Sequence, residues 1–257
     1  MFTAAADSYD RFMGRYSGPL AAKFCDFTGV QPAMRVLDVG CGPGALVTEL
    51  ERRLGADAVS AVDPAEQFVA AARERHPQVD VRVAPAESLP FEDAAFDAAL
   101  AQLVVHFMRD PLTGIGEMAR VTRDGGVVSA CVWDHAGGGG PLSLFWTAVH
   151  ELDPDAEGES SLAGSGQGQL AELFERAGLE DVEESSIAVT VEHAGFEEWW
   201  EPYTLGVGPA GAYLRGVDAQ KRAAVRERCR NALPPGPPVI TAKAWVARGT
   251  SCAAPHR

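Results

Sequence analysis

Basic residues are scarce in this 257-residue chain, where 22 lysines and arginines stand against 36 aspartates and glutamates and give a formal net charge of −14. Such a balance argues against binding a phosphate backbone, which requires clustered Lys and Arg. Long apolar runs are also missing. The apolar stretch 127–133 is far shorter than the roughly 20 residues that a bilayer-spanning helix needs. We therefore expect no nucleic-acid partner and no membrane insertion.

Cysteines are few, and none forms a CxxC pair. An odd number of cysteines at scattered positions is neither a disulfide framework nor a metal site, so we expect no bound metal. The expected role of these residues is that of buried or incidental thiols in a reducing compartment. The N-terminus lacks the basic start, apolar stretch and small-residue cleavage site of a secretory signal, and a cytoplasmic protein is predicted. The five are Cys25, Cys41, Cys131, Cys229 and Cys252.

Short apolar runs alternate with amphipathic stretches between residues 35 and 133, a pattern typical of β-α-β units around a parallel sheet. The length suits an α/β domain with a sizeable core, and we expect a single domain over residues 1–257. The strands are predicted at 34–39, 58–62, 79–83, 96–100, 126–133, 182–192 and 239–248. The helices are predicted at 45–54, 65–75, 112–121, 142–152 and 170–177, with a helical insert over 196–233.

The acidic excess is unevenly distributed. Residues 151–201 hold 15 acidic residues and one basic residue, whereas residues 202–257 hold two acidic and nine basic residues. The acidic segment is predicted to be a solvated, flexible lid or an acidic face that pairs with the basic segment. A nucleic-acid site is the alternative for the basic stretch 219–230, but the net negative charge favours a solvated or paired helix face.

The most informative stretch is VLDVGCGPG, residues 36–44. A strand here enters a glycine turn that opens a helix, so that a ligand can approach the backbone and meet unpaired N–H groups. Gly40, Gly42 and Ala45 also satisfy the degenerate dinucleotide fingerprint, and Asp63 suits a ribose-binding acid. A nicotinamide-dependent oxidoreductase is therefore an open alternative at this point.

The carboxylate of Asp38 favours a different cofactor. This residue lies two positions before the first glycine, at the carboxyl end of the predicted strand. A carboxylate there would repel a pyrophosphate on the loop, but it would attract a cation. S-adenosyl-L-methionine carries an ammonium group and a sulfonium and has no phosphate. The sign of the charge thus favours S-adenosylmethionine over NAD.

The same stretch resembles the first motif of the class I S-adenosylmethionine-dependent methyltransferases, and the chain is similar to their small-molecule branch of ubiquinone/menaquinone-biosynthesis methyltransferases. The resemblance implies a Rossmann-like, doubly wound, mostly parallel sheet with an antiparallel edge hairpin and helical lid insertions. It also implies a helical arm over 1–30, a cofactor-binding core over 31–135 and a substrate side over 136–257. It continues through Asp63, 86–91, Phe96-Asp97, 117–121 and Gly125-Gly126.

The resemblance implies roles for the residues around the glycine loop. Asp38 would orient the cofactor's ammonium group, and Asp63 would accept hydrogen bonds from both ribose hydroxyls. The methionine half of the cofactor, near its sulfonium, would contact the glycine loop, the end of the fourth strand and the arm, and Arg15 of the arm would pair with the carboxylate of the cofactor. The residues concerned are Gly40, Cys41, Gly42, Gly44, Gln102, Leu103, Tyr9 and Arg15. The adenine would contact Pro64, Phe68, Ala86 and Glu87, since Pro85 stands where the family often has an Asp.

Each of these roles has a plainer alternative. Asp63 could be a solvated strand end, and Glu87 an ordinary exposed acid. Phe68 could belong to the core, and Pro64 could begin a turn. The arm could pack on the sheet without covering the cofactor.

Methyl transfer requires mainly alignment and exclusion of water, and a general base helps only if the acceptor must lose a proton. His106, four residues after Gln102, is the candidate base, and a hydrogen-bonded structural histidine is the alternative. An apolar or aromatic acceptor would contact Trp133, Trp146, Trp199 and Tyr203, whose alternative is core packing.

The sequence thus predicts a monomeric or homodimeric enzyme that transfers a methyl group by in-line displacement to a small-molecule acceptor. An NAD(P)-dependent oxidoreductase and a non-catalytic S-adenosylmethionine-binding protein are the alternatives. The acceptor-side segments vary by nature in such folds, because function is grafted onto loops. The sequence therefore leaves the acceptor and the methylated atom open.

Overall fold

The computed structural model describes residues 8–252 of the chain. At its centre lies a seven-stranded sheet with the order β3-β2-β1-β4-β5-β7-β6. Strands β1 to β5 pair in parallel, and β7 runs antiparallel to both β5 and β6. The predicted parallel sheet with an antiparallel edge hairpin is confirmed. The strands are β1 (Val36–Val39), β2 (Val59–Asp63), β3 (Asp80–Val83), β4 (Phe96–Gln102), β5 (Thr122–Trp133), β6 (Glu180–Glu192) and β7 (Val239–Thr250).

The helices flank this sheet or extend over its carboxyl edge. The first begins directly after a wide helical turn, Asp10–Gly14, and tight single turns occur at Ala56–Ala58, Val105–Phe107 and Glu201–Leu205. The helices are α1 (Arg15–Thr28), α2 (Ala45–Leu54), α3 (Glu66–Arg75), α4 (Pro111–Val121), α5 (Ser143–Leu152), α6 (Gln169–Arg176), α7 (Phe196–Trp200), α8 (Gly208–Gly216) and α9 (Ala219–Ala232).

Two elements differ from their predictions. Strand β5 starts at Thr122, four residues before the predicted start, because a bulge opposite Phe96 and Ala98 lets the chain pass through 123–126 without leaving the strand. The insert predicted over 196–233 is divided into α7, α8 and α9. Gly206, which adopts a left-handed φ of 77°, ends the turn after α7.

Buried side chains cover both faces of the sheet and form a third group beyond its edge. On one face Leu20 and Phe24 of α1 pack with the sheet, and on the other Ile115 and Met118 of α4 do so. The third group joins the N-terminal arm, α5 and the segment α7–α9. We call it the insert core, and its large members are Phe12, Phe145, Trp146, Trp199, Trp200 and Tyr203.

The strand order reverses between β1 and β4, since chain connections lead away from β1 in opposite directions along the sheet. Ligands of open α/β sheets bind in the crevice beyond the carboxyl ends of the strands at such a point. The loop after β1 is Gly40–Gly44, the glycine turn of the sequence. The fold therefore places this turn at the expected ligand crevice.

Ion pairs join the acidic and basic segments. Lys221 of α9 pairs with Asp153 at 2.5 Å, and Arg226 and Arg230 of the same helix both pair with Glu197, at 2.5 and 2.8 Å. The predicted alternative in which the two segments pair is confirmed. Since such exposed pairs contribute only about 0–1 kcal/mol each, they orient the segments more than they stabilise them.

Within residues 8–252, no helix is long and apolar enough to cross a membrane. The same residues contain no group of three or more His, Cys, Asp or Glu side chains placed to hold a metal ion. Four of the five cysteines are buried and Cys252 is exposed, all as free thiols.

The packing of α1 on the sheet predicts the effect of one truncation. Phe24 is fully buried in that interface, so Phe24→Ala should lower the free energy of unfolding by about 3 kcal/mol or more. Phe107→Ala is the matched control, because Phe107 is 61% exposed and should change stability by less than about 0.5 kcal/mol. Urea unfolding followed by tryptophan fluorescence measures both, and equal losses would contradict the packing.

Candidate active site

A cavity of about 120 Å³ lies beyond the carboxyl ends of β1 and β4. The glycine turn forms its floor, and residues of the arm and of the segment after β4 cover it. We call it the glycine-loop pocket. Its walls are formed by Tyr9, Ser17, Asp38, Gly40, Cys41, Gly42, Pro43, Ala45, Leu46, Asp63, Phe68, Gln102, Leu103, Val104 and Phe107.

The turn is held against β2 by its own backbone. The N–H of Gly40 donates to the carbonyl oxygen of Val62 at 2.8 Å, and the N–H of Gly42 donates to Oδ2 of Asp63 at 2.9 Å. Gly40 has a φ of 75°, and a Cβ at this position would lie 2.3 Å from a methyl carbon of Val104. Only glycine fits there, because the conformation and the close approach both exclude a side chain.

Asp38 is a buried carboxylate with no counter-charge among residues 8–252. It is 1% exposed, and neither oxygen makes a hydrogen bond of normal geometry to any residue of 8–252. Burial, and then the neighbouring Asp63 carboxylate, raise the pKa of Asp38 well above its usual value, while the Val47 backbone lowers it only in part. A buried charge is costly unless it is paired. This side chain therefore favours a cationic ligand.

Asp63, at the end of β2, is buried but partly satisfied. Its Oδ2 accepts from Gly42, and its Oδ1 accepts from the N–H of Ala65 at 2.8 Å. Burial raises the pKa of Asp63, and these two backbone bonds lower it. Each carboxylate oxygen can accept more than one hydrogen bond. Asp63 can thus receive two further donors, which matches a pair of neighbouring hydroxyls.

The N-terminal arm forms the cover of the pocket. The ring of Tyr9 meets the ring of Phe68 edge to face at 5.5 Å, and Asp10 pairs with Arg75 of α3 at 2.5 Å. Burial, and then the carboxylates of Asp63, Asp10 and Asp38, raise the pKa of Tyr9 to about 12, against a lowering hydrogen bond with Ser17. The arm thus covers the pocket beside both strand-end carboxylates.

Arg15 lies elsewhere. Its Nη1 donates to Nδ1 of His193 at 2.7 Å and approaches Glu198 at 3.5 Å, and the side chain is not part of the glycine-loop pocket. The reason is helical geometry, since Arg15 is two residues before Ser17 and therefore on another face of the arm. The expectation that Arg15 pairs with the cofactor carboxylate has no support in this arrangement.

Gln102 and Leu103 both line the pocket, as expected. The Nε2 of Gln102 donates to the carbonyl oxygen of Ser17 at 3.1 Å and so ties the arm to β4. Leu103 has a φ of 63°, a left-handed conformation that costs free energy in a residue other than glycine. This bend turns Val104 and Phe107 back over the pocket.

The adenine-side residues are only partly assembled. Phe68 lines the pocket, whereas Pro64 is exposed after β2 and Ala86 is buried in the core. The Oε1 of Glu87 accepts from the N–H groups of Arg109 and Asp110, at 2.7 and 3.2 Å, and fixes the start of α4. The roles of Pro64, Ala86 and Glu87 toward a cofactor stay predictions.

Gly44 is also outside the pocket walls. It has a φ of 104°, and a Cβ there would lie 2.9 Å from the ring of His76. A glycine is therefore required at this position, because the chain enters α2 here in a left-handed conformation and passes close to His76. Direct contact of Gly44 with a cofactor stays a prediction.

His106, the candidate base, is buried and does not line the pocket. Burial, and then the nearby His135, lower the pKa of His106 to about 3. An efficient general base has a pKa near the working pH. The role of His106 as the base stays a prediction, and its pKa argues against it.

Of the four aromatic residues expected on the acceptor side, Trp146, Trp199 and Tyr203 belong to the insert core, and Trp133 lies apart from them. The ring of Tyr203 stacks on that of Phe145 at 4.8 Å and lies 5.0 Å from that of Trp199, within the insert core. Trp146 lines a separate polar cavity, and its Nε1 donates to Glu159 at 2.7 Å. Trp133 meets the ring of Tyr16 edge to face at 6.3 Å. Core packing thus accounts for part of this set.

Trp199 and Tyr203 also line a second, very small cavity between the arm and the insert. We call it the arm–insert cavity. It measures about 10 Å³, close to the space of a single water. Its other walls are Phe12, Arg15, Tyr16, Leu142, His193 and Pro202.

Sequence reasoning missed Ser17, Val104 and Phe107 as pocket residues. Ser17 follows Tyr9 by eight residues, two steps of the i, i+4 helical spacing, so the face that carries Tyr9 indicates Ser17 as well. No sequence signal identifies Val104 and Phe107, because their position depends on the left-handed bend at Leu103.

Comparisons with known proteins agree with this geometry. Residues 37–130 match the family described as "Methyltransferase domain". An uncharacterized methyltransferase of Mycobacterium tuberculosis is 39% identical over 133 residues, which are 52% of this chain and 51% of that protein. A demethylmenaquinone methyltransferase of Renibacterium salmoninarum is 30% identical over 147 residues, which are 57% of this chain and 61% of that protein.

A solved structure of geranyl diphosphate C-methyltransferase from Streptomyces coelicolor has the same fold. The TM-score is 0.54 at 15% identity, and the match covers 92% of this chain and 80% of that one. That enzyme is bound to Mg²⁺, geranyl diphosphate and S-adenosylhomocysteine. The present chain spans about half the length of the curated relatives it matches first. Residues 37–130 thus match a methyltransferase domain, and the glycine turn, the strand-end carboxylates and the sheet order resemble those of the class I, S-adenosylmethionine-dependent methyltransferases.

Proposed function

We propose that the protein transfers a methyl group from S-adenosylmethionine to a small-molecule acceptor by in-line displacement. The observation that carries this proposal is the buried carboxylate of Asp38, without a hydrogen-bond partner in residues 8–252, at the glycine turn. A cationic ligand relieves the cost of this charge, and the ammonium and sulfonium groups of S-adenosylmethionine are cationic.

The residues present fit the rest of that cofactor. Asp38 would hold the ammonium group, and Asp63 would accept the ribose hydroxyls with the lone pairs that Gly42 and Ala65 leave free. A nicotinamide dinucleotide fits worse, because its pyrophosphate would lie beside two buried carboxylates. The charge of the pocket therefore supports a methyltransferase over an oxidoreductase.

When bound, S-adenosylmethionine supplies an electrophilic methyl group on a good leaving group. The protein's own residues then have to orient and shield the reactants, which is the main requirement of this chemistry. Asp38 would hold the ammonium end of the cofactor, and Asp63 would hold its ribose, which joins the sulfonium to the adenine. Gln102 and Leu103 form the wall at the end of β4, and Tyr9 with the Asp10–Arg75 pair covers the opening.

The remaining features of the proposal concern partners and location. We propose a monomer or homodimer that acts on a small molecule. The packing of the arm, the sheet and the insert core against one another supports the proposal that residues 1–257 work as one domain. The name of the demethylmenaquinone methyltransferase relative suggests an aromatic or quinoid acceptor. A cytoplasmic location agrees with the free thiols of Cys25, Cys41 and Cys131.

Calorimetric titration with S-adenosylmethionine, S-adenosylhomocysteine and NADH tests the cofactor. We expect saturable binding of the first two and none of NADH. Binding of NADH alone would indicate an oxidoreductase. Formation of S-adenosylhomocysteine with an acceptor panel, measured by mass spectrometry, separates a methyltransferase from a protein that only binds the cofactor.

Replacing Asp38 should separate cofactor affinity from stability. Asp38→Asn removes the partner of the ammonium group, so the affinity for S-adenosylmethionine should fall at least about tenfold. The ligand-free variant should gain about 1 kcal/mol in free energy of unfolding at neutral pH, since an unpaired buried charge is lost. Calorimetry and urea unfolding measure the two effects.

The stability gain should depend on pH in a defined direction. The pKa of Asp38 is raised in the folded state, so folded wild-type protein binds more protons than unfolded protein and loses stability as pH rises above about 4. The advantage of Asp38→Asn should therefore be absent at lower pH and grow toward neutral pH. Asp57→Asn, at an exposed position, is the control. Unchanged cofactor affinity in Asp38→Asn would refute the assignment.

The cover formed by the arm predicts a kinetic effect. Tyr9→Ala removes the contact with Phe68, so bound S-adenosylhomocysteine should dissociate about fivefold faster in stopped-flow measurements. Tyr213→Ala is the control, since that hydroxyl bonds Asp153 in another part of the molecule. Equal rates in wild type and Tyr9→Ala would argue against the cover.

Replacing His106 tests the base assignment. With a pKa of about 3, this side chain is already neutral over pH 6–8. His106→Gln should therefore change kcat less than about threefold and leave its pH profile unaltered, whereas losing a general base costs about 10²-fold or more. A loss of that size, together with loss of the pH dependence, would restore His106 as the base.

A further inference from the structure

A cavity of about 180 Å³ lies between α5, the loop that follows β5 and the loop that follows α5. We call it the polar cavity. Trp146 and Glu159 are its buried wall residues, whereas Ala136, Thr147 and Ser160 are exposed. A ligand can therefore enter the polar cavity from solvent and reach a buried carboxylate.

Two rings of α5 hold the loop that carries this carboxylate. Trp146 and His150 are four residues apart, so they lie on one face of the helix, and their rings stack at 5.9 Å. Nε2 of His150 donates to the carbonyl oxygen of Ala156 at 3.1 Å. A Cβ on Gly158 would lie 3.1 Å from the ring of His150, so the backbone of the loop passes directly against it. These contacts give Glu159, the next residue, a defined position.

The carboxylate of Glu159 has no cationic partner. It is 5% exposed, and its Oε2 accepts from Nε1 of Trp146 at 2.7 Å, but no basic side chain of residues 8–252 pairs with it. Burial raises the pKa of Glu159, and the bond from Trp146 lowers it. A buried carboxylate is costly unless it is paired, and charge-assisted hydrogen bonds are the strong ones. A ligand that brings a cation relieves this cost.

A pair of histidines separates the polar cavity from the glycine-loop pocket. His135 lines the polar cavity, and its ring lies 5.9 Å from that of His106. The ring of His106 lies 4.0 Å from that of Phe107, which lines the glycine-loop pocket. Burial lowers the pKa of His135 to about 4, against the neighbouring Asp134, and burial and then His135 lower the pKa of His106 to about 3. Both rings are therefore neutral at neutral pH and neither repels a cation in the polar cavity.

We propose that the polar cavity binds the ammonium group of an organic ligand other than S-adenosylmethionine, with Glu159 as the counter-charge. The ammonium group donates to Glu159, and hydroxyl groups on the rest of the ligand bond the side chains of Ser143 and Thr147 in the wall. Oγ of Ser143 donates to the carbonyl oxygen of Gly140 at 2.8 Å, so its lone pairs face the ligand as acceptors. This site goes beyond the proposed function and does not depend on it.

The test compares three rigid molecules of similar size that differ in charge. The probes are trans-4-aminocyclohexanol, trans-1,4-cyclohexanediol and trans-4-hydroxycyclohexanecarboxylate, titrated calorimetrically into the full-length protein. The aminocyclohexanol should bind at least about tenfold tighter than the diol, because only its ammonium group pairs with the buried carboxylate. The carboxylate probe should show no measurable binding, since it places a like charge beside Glu159.

Variants assign the binding to Glu159. Glu159→Gln keeps the size of the side chain and an oxygen that can accept from Trp146, but it removes the charge. It should weaken aminocyclohexanol binding at least about tenfold and change diol binding less than about twofold. Glu157→Gln is the matched control, because it removes an exposed carboxylate of the same loop and should leave both affinities unchanged. If Glu159→Gln does not fold, the comparison of the amine with the diol on wild type carries the test.

Titrations repeated with saturating S-adenosylhomocysteine separate this site from the cofactor site. Aminocyclohexanol binding that persists on the saturated protein supports a separate site, and its loss overturns that site. Equal binding of the diol, or full amine affinity in Glu159→Gln, overturns the ammonium site and leaves the methyltransferase proposal standing. Failure of the wild type to bind S-adenosylhomocysteine overturns the methyltransferase proposal, whereas amine binding that depends on Glu159 still supports the ammonium site.

Discussion

Two carboxylates at the ends of neighbouring parallel strands, with no cationic partner among residues 8–252, are the constraint on which the site depends. Burial raises the pKa of both Asp38 and Asp63, and the Asp63 carboxylate raises the pKa of Asp38 further. The parallel pairing of β1 with β2 imposes this closeness, since their carboxyl ends meet at one edge. Such an arrangement lowers stability, and it persists where a ligand compensates for it. The glycine turn and the arm then supply the space and the cover for that ligand.

The sequence predicts this half of the site because its determinants are local. The strand, the turn and the helix of residues 36–54 are consecutive, and Asp63 comes into place once the next strand pairs in parallel. The arm–insert cavity depends on contacts between distant segments. His193 meets Arg15 across 178 positions, and the direction of Arg15 depends on how the arm is rotated about its axis. Neither property leaves a periodic signal, so the sequence does not indicate that Arg15 and His193 meet, and a contact of Arg15 with the cofactor carboxylate stays a prediction.

The negative charge of the chain has two distinct structural origins. Strand-end carboxylates are buried and serve the pocket, whereas the acids of 151–201 lie largely at the surface, where several meet arginines of α9 and β7. In the second group, Glu151 joins α5 to α9 and Glu197 joins α7 to α9, whereas Glu183 and Arg248 pair within the edge hairpin. Because surface pairs are screened by salt, the position of the insert should be more sensitive to ionic strength than the fold of the sheet.

Charge is only part of what joins the arm to the insert. Exposed pairs such as Arg11–Glu201 connect them, and so does the buried contact of Phe12 with Tyr203, whose ring centroids lie 5.2 Å apart in the insert core. Separating the two would therefore cost the burial of Phe12 as well as surface ion pairs. Among residues 8–252, Nε1 of Trp199 and Nε of Arg15 also lack a hydrogen-bond partner at this boundary, so the arm and the insert carry an unmet desolvation cost where they meet.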